Sequence, residues 1–401
     1  MTIRRTPQDF LVNEVLTEAW TPRAERPEGD AHAVYVLEKT SLTTLDAAGA
    51  FGRSLGVRAN KVSYAGLKDK HAVTRQHVSV AWEKATTTPP PATESKGCKA
   101  TLVGWLAEPL VAEAIAANSF HLVIRDLSRK DVTEMQKRFA RLRDGDPRDN
   151  SLAFVNYFGE QRFASVRSKS DFAAQHLVRG EFEEALRLLI GVPHRKDSGA
   201  RRALTRACAG HWGDWGAIVK MLPPGAWRGP LEQLAAGKDF KAAFEALPYV
   251  EQQFAVEAFQ SQLWNECAAA LLGTVPKADT LVTPTDFGDL IFPAATALSQ
   301  RWREMELPML APTTRPREPW GKAATKVLAA RALTFDSLII PRLRRPAFGE
   351  AMRPLVVVAS EVSFEGPAQD ELSRPGRLKV DARFNLPRGA YATVLLRALG
   401  Q

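Results

Sequence analysis

Hydrophobic and polar positions alternate along much of the first third of the chain. Val78, Val80 and Trp82 recur every second residue, and Val62 and Tyr64 lead into Ala65-Gly66 with the same period. That period belongs to strands with one buried face. Between them lies a polar loop, Ala65-Gly66-Leu67-Lys68-Asp69-Lys70-His71-Ala72-Val73-Thr74-Arg75-Gln76, with a single aspartate. Asp69 is therefore expected on a strand-loop-strand connection, a frame that often carries chemistry, although Gly, Lys and Asp between strands also make an ordinary solvated turn. His32 to Lys39 alternates as another strand. After it, Ser41 or Thr43 can cap a helix with Leu45, Ala48, Phe51 and Leu55 on one face.

Residues 83–98 contain Thr86-Thr87-Thr88 and Pro89-Pro90-Pro91 and read as an exposed loop. A strand is predicted over 118–126, with Phe120, Leu122 and Ile124 on one face. Ser128-Arg129-Lys130-Asp131 has the form of a capping box, opening a helix through Val132, Met135, Phe139 and Leu142. Beyond Phe163 the texture changes. Residues 170–190 and 251–272 read as helices, and the block ends near Pro341-Arg342-Leu343-Arg344-Arg345-Pro346. Strand character returns at Leu355 to Val358 and at Val380, Ala382 and Phe384, the last assigned to the core. The pattern predicts a mixed α/β (α+β) fold whose sheet is assembled from both chain ends, with a mostly helical domain inserted: 1–165 and 346–401 against 166–345. No repeat or heptad emerges.

At 401 residues the chain is long enough for two or three domains, and with 45% hydrophobic residues it can bury sizeable cores. Lys and Arg outnumber Asp and Glu by 54 to 45, a net charge of +9 that suits a polyanionic partner. The basic residues cluster at His194, Arg195, Lys196, Arg201, Arg202 and Arg206, and again at Arg342, Arg344 and Arg345. Cys98, Cys208 and Cys267 form no C-x-x-C pair and leave one over from any disulfide, so a reducing cytoplasm is expected. No apolar signal core follows the N-terminal charges, and no run approaches the roughly 18 apolar residues of a membrane span. Neither metal-ligand spacing nor a phosphate-binding glycine loop is present, which predicts chemistry without metal or cofactor.

The order Gly66-Leu67-Lys68-Asp69, Ala72-Val73-Thr74 and Gln76 resembles the signature of the tRNA pseudouridine synthase D (TruD) family. Four further segments match in the same order. Pro7-Gln8-Asp9-Phe10-Leu11-Val12-Asn13-Glu14 is similar to the family's P-x-D-F-x-V-x-E, and Asn118-Ser119-Phe120 to its N-x-F. Asn156-Tyr157-Phe158-Gly159-Glu160-Gln161-Arg162-Phe163 resembles its most distinctive string, and Phe384 to Thr393 its F-x-L-P-x-G-x-Y-A-T. Between 170 and 345 the resemblance is thinner, resting on Gln260-Ser261 and Trp264-Asn265.

The resemblance implies a pseudouridine-synthase catalytic domain interrupted by a family-specific insertion that helps bind RNA, and a monomeric enzyme. It implies isomerisation of uridine to pseudouridine, at position 13 in the D arm of tRNA, with Asp69 as nucleophile. A carboxylate suits that role because it is ionised at neutral pH without an activating base. Attack on the ring, attack on the sugar and removal of a sugar proton to give a glycal all stay open. By the same resemblance Phe120 lies against the flipped base, Asn118 hydrogen-bonds the nucleotide, and Phe10 and Tyr391 complete the pocket wall. Periodicity alone would make Phe120 a core residue. The cation beside the nucleophile is either Lys68, whose side chain an extended segment would point away from its neighbour's, or Arg4, which stands where the family has a lysine. Ala164 replaces a glycine of the family, so the turn there is expected to differ. On the residues alone, an RNA-folding protein without turnover and a hydrolase that frees uracil are the competing classes.

Overall fold

The computed structural model describes residues 2–82, 87–145, 150–169, 171–194, 197, 199–225 and 227–401. The chain divides into two compact units, Met1–Phe154 with Val357–Gln401, and Val155–Val356. The string from Asn156 to Phe163 thus falls in the second unit.

The first unit is built on a large mixed sheet. Its strands are β1 (Phe10–Leu16), β2 (His32–Thr40), β3 (Val62–Tyr64), β4 (Val73–Ala81), β5 (Ala92–Ser95), β6 (Cys98–Leu106), β7 (Ile115–Leu127), β8 (Arg143–Asp144) and β9 (Ser151–Val155). The second unit supplies two small two-stranded antiparallel sheets of its own, β10 (Thr280–Thr285) with β11 (Gly288–Pro293), and β12 (Glu306–Pro308) with β13 (Met352–Pro354). The chain then returns as β14 (Val356–Gln369) and β15 (Leu378–Pro387). The large sheet runs β5-β6-β2-β4-β1-β7-β15-β14-β9-β8, with β3 on β4. Strands from the two chain ends meet at β7 and β15, where Phe120 stands opposite Phe384.

One pairing sets up the site. β1 and β4 run parallel, Leu11 opposite Val73 and Asn13 opposite Arg75, whereas β1 and β7 are antiparallel, Val12 opposite Phe120 and Glu14 opposite Asn118. Parallel strands start at the same edge of a sheet. The residues before Phe10 and those before Val73 are therefore brought to one place, and these are the Arg4 segment and the Asp69 loop.

Helix α1 (Thr44–Ser54) covers β2, β4 and β6, and its core includes Tyr35, Leu37, Ala48, Phe51, Val78 and Val80. Of the two predicted caps, Thr43 takes the position, accepting the Asp46 N–H, and Ser41 lies just ahead at φ 57°. The expected face of α1 needs correction. Leu45 is 62% exposed, and Thr44 and Ala47 are buried beside Ala48 and Phe51. The helix is rotated because the Thr44 hydroxyl bonds the Asp69 loop and Gln76, as described below. Helix α2 (Arg129–Leu142) has the predicted capping box at Ser128 and Asp131 and buries Val132, Met135 and Leu142.

The Pro-rich stretch is more ordered than expected. Ala92–Ser95 pairs with β6, Pro89 is buried, and the Pro90 carbonyl accepts the Tyr35 hydroxyl at 2.9 Å. Docking on the sheet edge satisfies the backbone groups that a free loop would leave to water. Residues 83–86 lie outside the described residues.

The second unit is mainly helical and is organised around one long helix, Tyr249–Leu272, buried over most of its circumference. The string from Asn156 to Phe163 and the pairs Gln260-Ser261 and Trp264-Asn265 form one buried network there. Asn265 accepts the Phe158 N–H at 2.8 Å and donates to the Phe158 carbonyl at 3.0 Å. Ser261 accepts from Arg162 Nε at 3.1 Å. The Tyr157 ring packs edge-on to Trp264, and its hydroxyl donates to the Ile291 carbonyl at 3.1 Å. Arg353 Cζ lies 4.1 Å from the Phe158 ring centre. Removing one partner would strand buried polar groups, so the string acts as a keystone of this unit. Ala164 has φ −61°, ordinary helical backbone that an alanine adopts without strain.

Candidate active site

The site is assembled on the first unit from four segments far apart in sequence. Its loop, between β3 and β4, leaves the Asp69 side chain 14% exposed, with Oδ1 accepting the His71 N–H at 2.8 Å. Arg4 Nη2 lies 2.7 Å from Asp69 Oδ2. Of the two candidate cations, Arg4 is the one that meets the carboxylate. The guanidinium thus stands against the carboxylate at ion-pair distance.

The N-terminal segment carrying Arg4 is held by Asp9, the buried acid of the opening motif. Asp9 Oδ2 accepts the backbone N–H groups of Arg5 and Thr6, each at 3.0 Å, and Oδ1 receives Arg125 Nε at 2.9 Å. Arg125 also binds Asp370 at 2.8 Å and Glu371 at 3.0 Å. Burial would raise the Asp370 carboxyl, but bonds from Ser373, the Asp126 N–H, Arg125 and the Leu372 N–H outweigh it and hold the group well below the usual carboxylate range.

Lys68 points away from Asp69, as an extended segment requires. Its Nζ lies 2.6 Å from Glu14 Oε2 and donates to Asn118 Oδ1 at 2.7 Å. Glu14 is fully buried at its side chain and also accepts the His77 N–H at 2.9 Å. Burial alone would raise the Glu14 carboxyl, but the bonds from His77 and the charge of Lys68 outweigh it and hold the group below its ordinary value. Lys68 thus ties the loop to facing positions of β1 and β7 and fixes the amide of Asn118.

Aromatic rings continue from the ion pair. The Arg4 guanidinium lies 4.5 Å from the centre of the Phe10 ring. Phe10 meets Phe120 edge-on at 6.1 Å, and Phe120 stacks on Phe384 at 5.4 Å. Phe10 and Phe384 are buried, whereas Phe120 and Asn118 are only half-buried. Leu122 and Ile124, on the same strand face as Phe120, are fully enclosed. The exposed part of Phe120 is what a base could stack on. Half-buried Tyr391 follows β15 shortly after Pro387, the partner of Ala117, and precedes the helix Ala392–Ala398.

The loop is also held from beneath. Lys39, 1% exposed, donates from Nζ to the Asp69 carbonyl at 2.7 Å. Thr44 Oγ1 accepts the Lys68 N–H at 2.9 Å and donates to Gln76 Oε1 at 3.0 Å, and Gln76 Nε2 donates to the Gly66 carbonyl at 3.2 Å. Sequence reasoning missed Lys39, Thr44, Glu14 and His77 as parts of the site. Its place on the alternating face of β2 that carries Ala33, Tyr35 and Leu37 was the available signal for Lys39, and membership of the opening motif was the signal for Glu14.

The basic residues of the second unit are less free than a charge run suggests. Arg201 is half-buried 3.6 Å over the Trp227 ring and bonds the Leu189 carbonyl, and Arg202 donates to the Asp197 carbonyl at 3.0 Å. Arg206, Arg342, Arg344 and Arg345 are exposed. Arg195 and Lys196 lie outside the described residues. Among the described residues the three thiols are free and buried, no group of His, Cys, Asp and Glu could hold a metal, and no helix is long and apolar enough to cross a membrane.

Comparison with known proteins gives the class: the chain is an isomerase, a tRNA pseudouridine synthase. It is 26% identical to a probable tRNA pseudouridine synthase D 1 of Methanococcus maripaludis, covering 99% of this chain and 98% of that one. With the tRNA pseudouridine synthase D of Aquifex aeolicus it shares 29% identity over 99% and 97% of the two chains. A crystal structure of the putative tRNA pseudouridine synthase D from Methanosarcina mazei has the same fold, with a TM-score of 0.68 at 21% identity, covering 99% of this chain and 92% of that one. The family model described as tRNA pseudouridine synthase D (TruD) matches residues 1–399, and the chain belongs to that family.

Proposed function

We propose that this enzyme isomerises uridine 13 in the D arm of tRNA, with Asp69 as the nucleophile and the target base flipped out of its stack. The observation that carries this reading is the ion pair between Arg4 and Asp69, which presents an oriented carboxylate at the edge of an aromatic surface. Arg4 Nη2, 2.7 Å from Asp69 Oδ2, aims the carboxylate toward the nucleotide. The base stacks on the half-buried ring of Phe120, Asn118 bonds the nucleotide, and Phe10 and Tyr391 close the wall. Lys68 holds the Asn118 amide in place. After the N1 to C1′ bond breaks, the ring turns between these surfaces and rejoins through C5; the proton on C5 is then lost and N1 gains one, so the atoms are conserved.

Base extrusion costs a few kcal/mol, which phosphate contacts offset. In this reading the second unit supplies them as an RNA-binding insertion, from Arg202, Arg206, Arg344 and Arg345 together with Arg195, Lys196 and the more enclosed Arg201. The enzyme works as a cytoplasmic monomer, with tRNA as its partner and without metal or cofactor.

The test uses unmodified tRNA transcripts with the wild-type protein and Asp69→Asn, mapping pseudouridine by carbodiimide labelling and primer extension. A stop at position 13 with wild type alone supports nucleophile and target together. A stop elsewhere overturns the target, turnover by Asp69→Asn overturns the nucleophile, and free uracil in the products points to a hydrolase.

A further inference from the structure

Three groups hold the Asp69 loop from below. Gln76 binds the Gly66 carbonyl, Thr44 the Lys68 N–H, and Lys39 the Asp69 carbonyl. Gln76 and Thr44 are neutral, and Lys39 alone of the three carries charge. Its ammonium is buried to 1% exposure on a strand otherwise lined by Val34, Tyr35 and Leu37. An apolar side chain of similar length would fill this place without the cost of burying a cation. What the ammonium adds is a charge-assisted bond to the main chain of Asp69.

We propose that Lys39 is a positioning residue for pseudouridine formation: its ammonium fixes the Asp69 main chain, and with it the aim of the carboxylate, so that the reaction slows when Lys39 loses its proton. This inference rests on the reading of Asp69 as nucleophile. The groups facing Lys39 are Asp69 and Lys68 from the loop, Cys98 at the paired position on β6 and Thr74 at the paired position on β4. Burial pushes the Lys39 ammonium down to about 8, partly opposed by Asp69 and reinforced by Lys68. Burial raises the Cys98 thiol above its ordinary value, and its charge, like that of Asp69, acts to raise Lys39. A neutral amine still donates to a carbonyl, but a charge-assisted bond is roughly twice as strong. Loss of the proton therefore loosens the loop without releasing it.

The experiment measures single-turnover pseudouridine formation on an unmodified tRNA transcript, with enzyme in excess, from about pH 6.5 to about 9.5. It compares wild type, Lys39→Met and Lys39→Arg, with tRNA affinity measured alongside by filter binding. The expected wild-type rate falls about fivefold to tenfold through pH 8. Lys39→Met should be slow and flat over that range with unchanged tRNA affinity, and Lys39→Arg should recover rate and lose the alkaline fall. A Lys39→Met rate that keeps the wild-type profile, scaled only by the folded fraction, would overturn the inference. If Lys39→Met does not fold, a wild-type profile with no alkaline fall, or a Lys39→Arg profile that retains it, overturns the inference as well. Turnover by Asp69→Asn would sink the underlying reading instead, whereas an inactive Asp69→Asn beside wild-type-like Lys39 variants would sink this inference alone.

Discussion

Arg4 and Asp69 meet at 2.7 Å although each belongs to a segment that precedes a different strand. Parallel pairing of β1 with β4 brings those segments together, and Asp9 holds the arginine end in place. Arg4→Met should cut pseudouridine formation by about 10²-fold or more, since a misaimed group costs that much, with little change in tRNA affinity. Arg4→Lys, which restores a cation in a more compact form, should recover part of the rate. Equal rates in wild type and Arg4→Met, measured in single turnover, would mean that the pair is only a surface contact.

Asp69→Asn should lose about three orders of magnitude or more in rate while folding and binding tRNA normally. Circular dichroism and filter binding check the second half of that statement. Failure to bind tRNA would turn the loop into a structural element.

Glu14→Gln leaves Lys68 buried beside a neutral amide. Breaking a buried pair on one side costs about 3–5 kcal/mol, which urea unfolding would read as a lower midpoint. Exchanging Glu14 and Lys68 together for apolar residues should recover much of that stability and still lose activity, because Asn118 is no longer held.

The same carboxylate gives a pH signature. Glu14 is held below its ordinary 4.5 in the fold and returns to that value on unfolding. The folded state then binds fewer protons, so the contribution is complete above the unfolded value and is lost as pH falls through the folded one. Wild type should lose stability below pH 4.5, and Glu14→Gln should lose less over the same interval. Parallel acid limbs in the two proteins would contradict this.

Phe120→Ala should weaken nucleotide binding by about 1–3 kcal/mol if its half-exposed ring meets the base. A drop in melting temperature with unchanged affinity per folded molecule would return Phe120 to the core.

Raising salt from about 50 to about 200 mM should weaken tRNA binding roughly a thousandfold if 6–10 phosphates are neutralised. Arg344→Gln and Arg345→Gln should each reduce the slope of that dependence. An affinity that hardly changes with salt would make the clusters solvated surface.

Period-two runs predicted β2, β3, β4, β7 and β15, and the Ser128 capping box marked the start of α2. These signals are local. They arise from which face of a strand is buried and which backbone groups at a helix end need partners, so they can be read wherever the residues stand. The Asp69 loop was legible in the same way, as a polar segment between two such strands. Leu45 faces solvent, with Thr44 turned inward by bonds to residues outside the helix. Ala92–Ser95 is a strand because its pairing with β6 outweighs a weak local preference. The choice of Arg4 over Lys68 beside the carboxylate, the burial of Glu14 and the support of Lys39 follow from strand register and from parallel pairing across distant segments. Sequence spacing carries no record of those contacts, because side chains meet there only after the sheet has closed and excluded water.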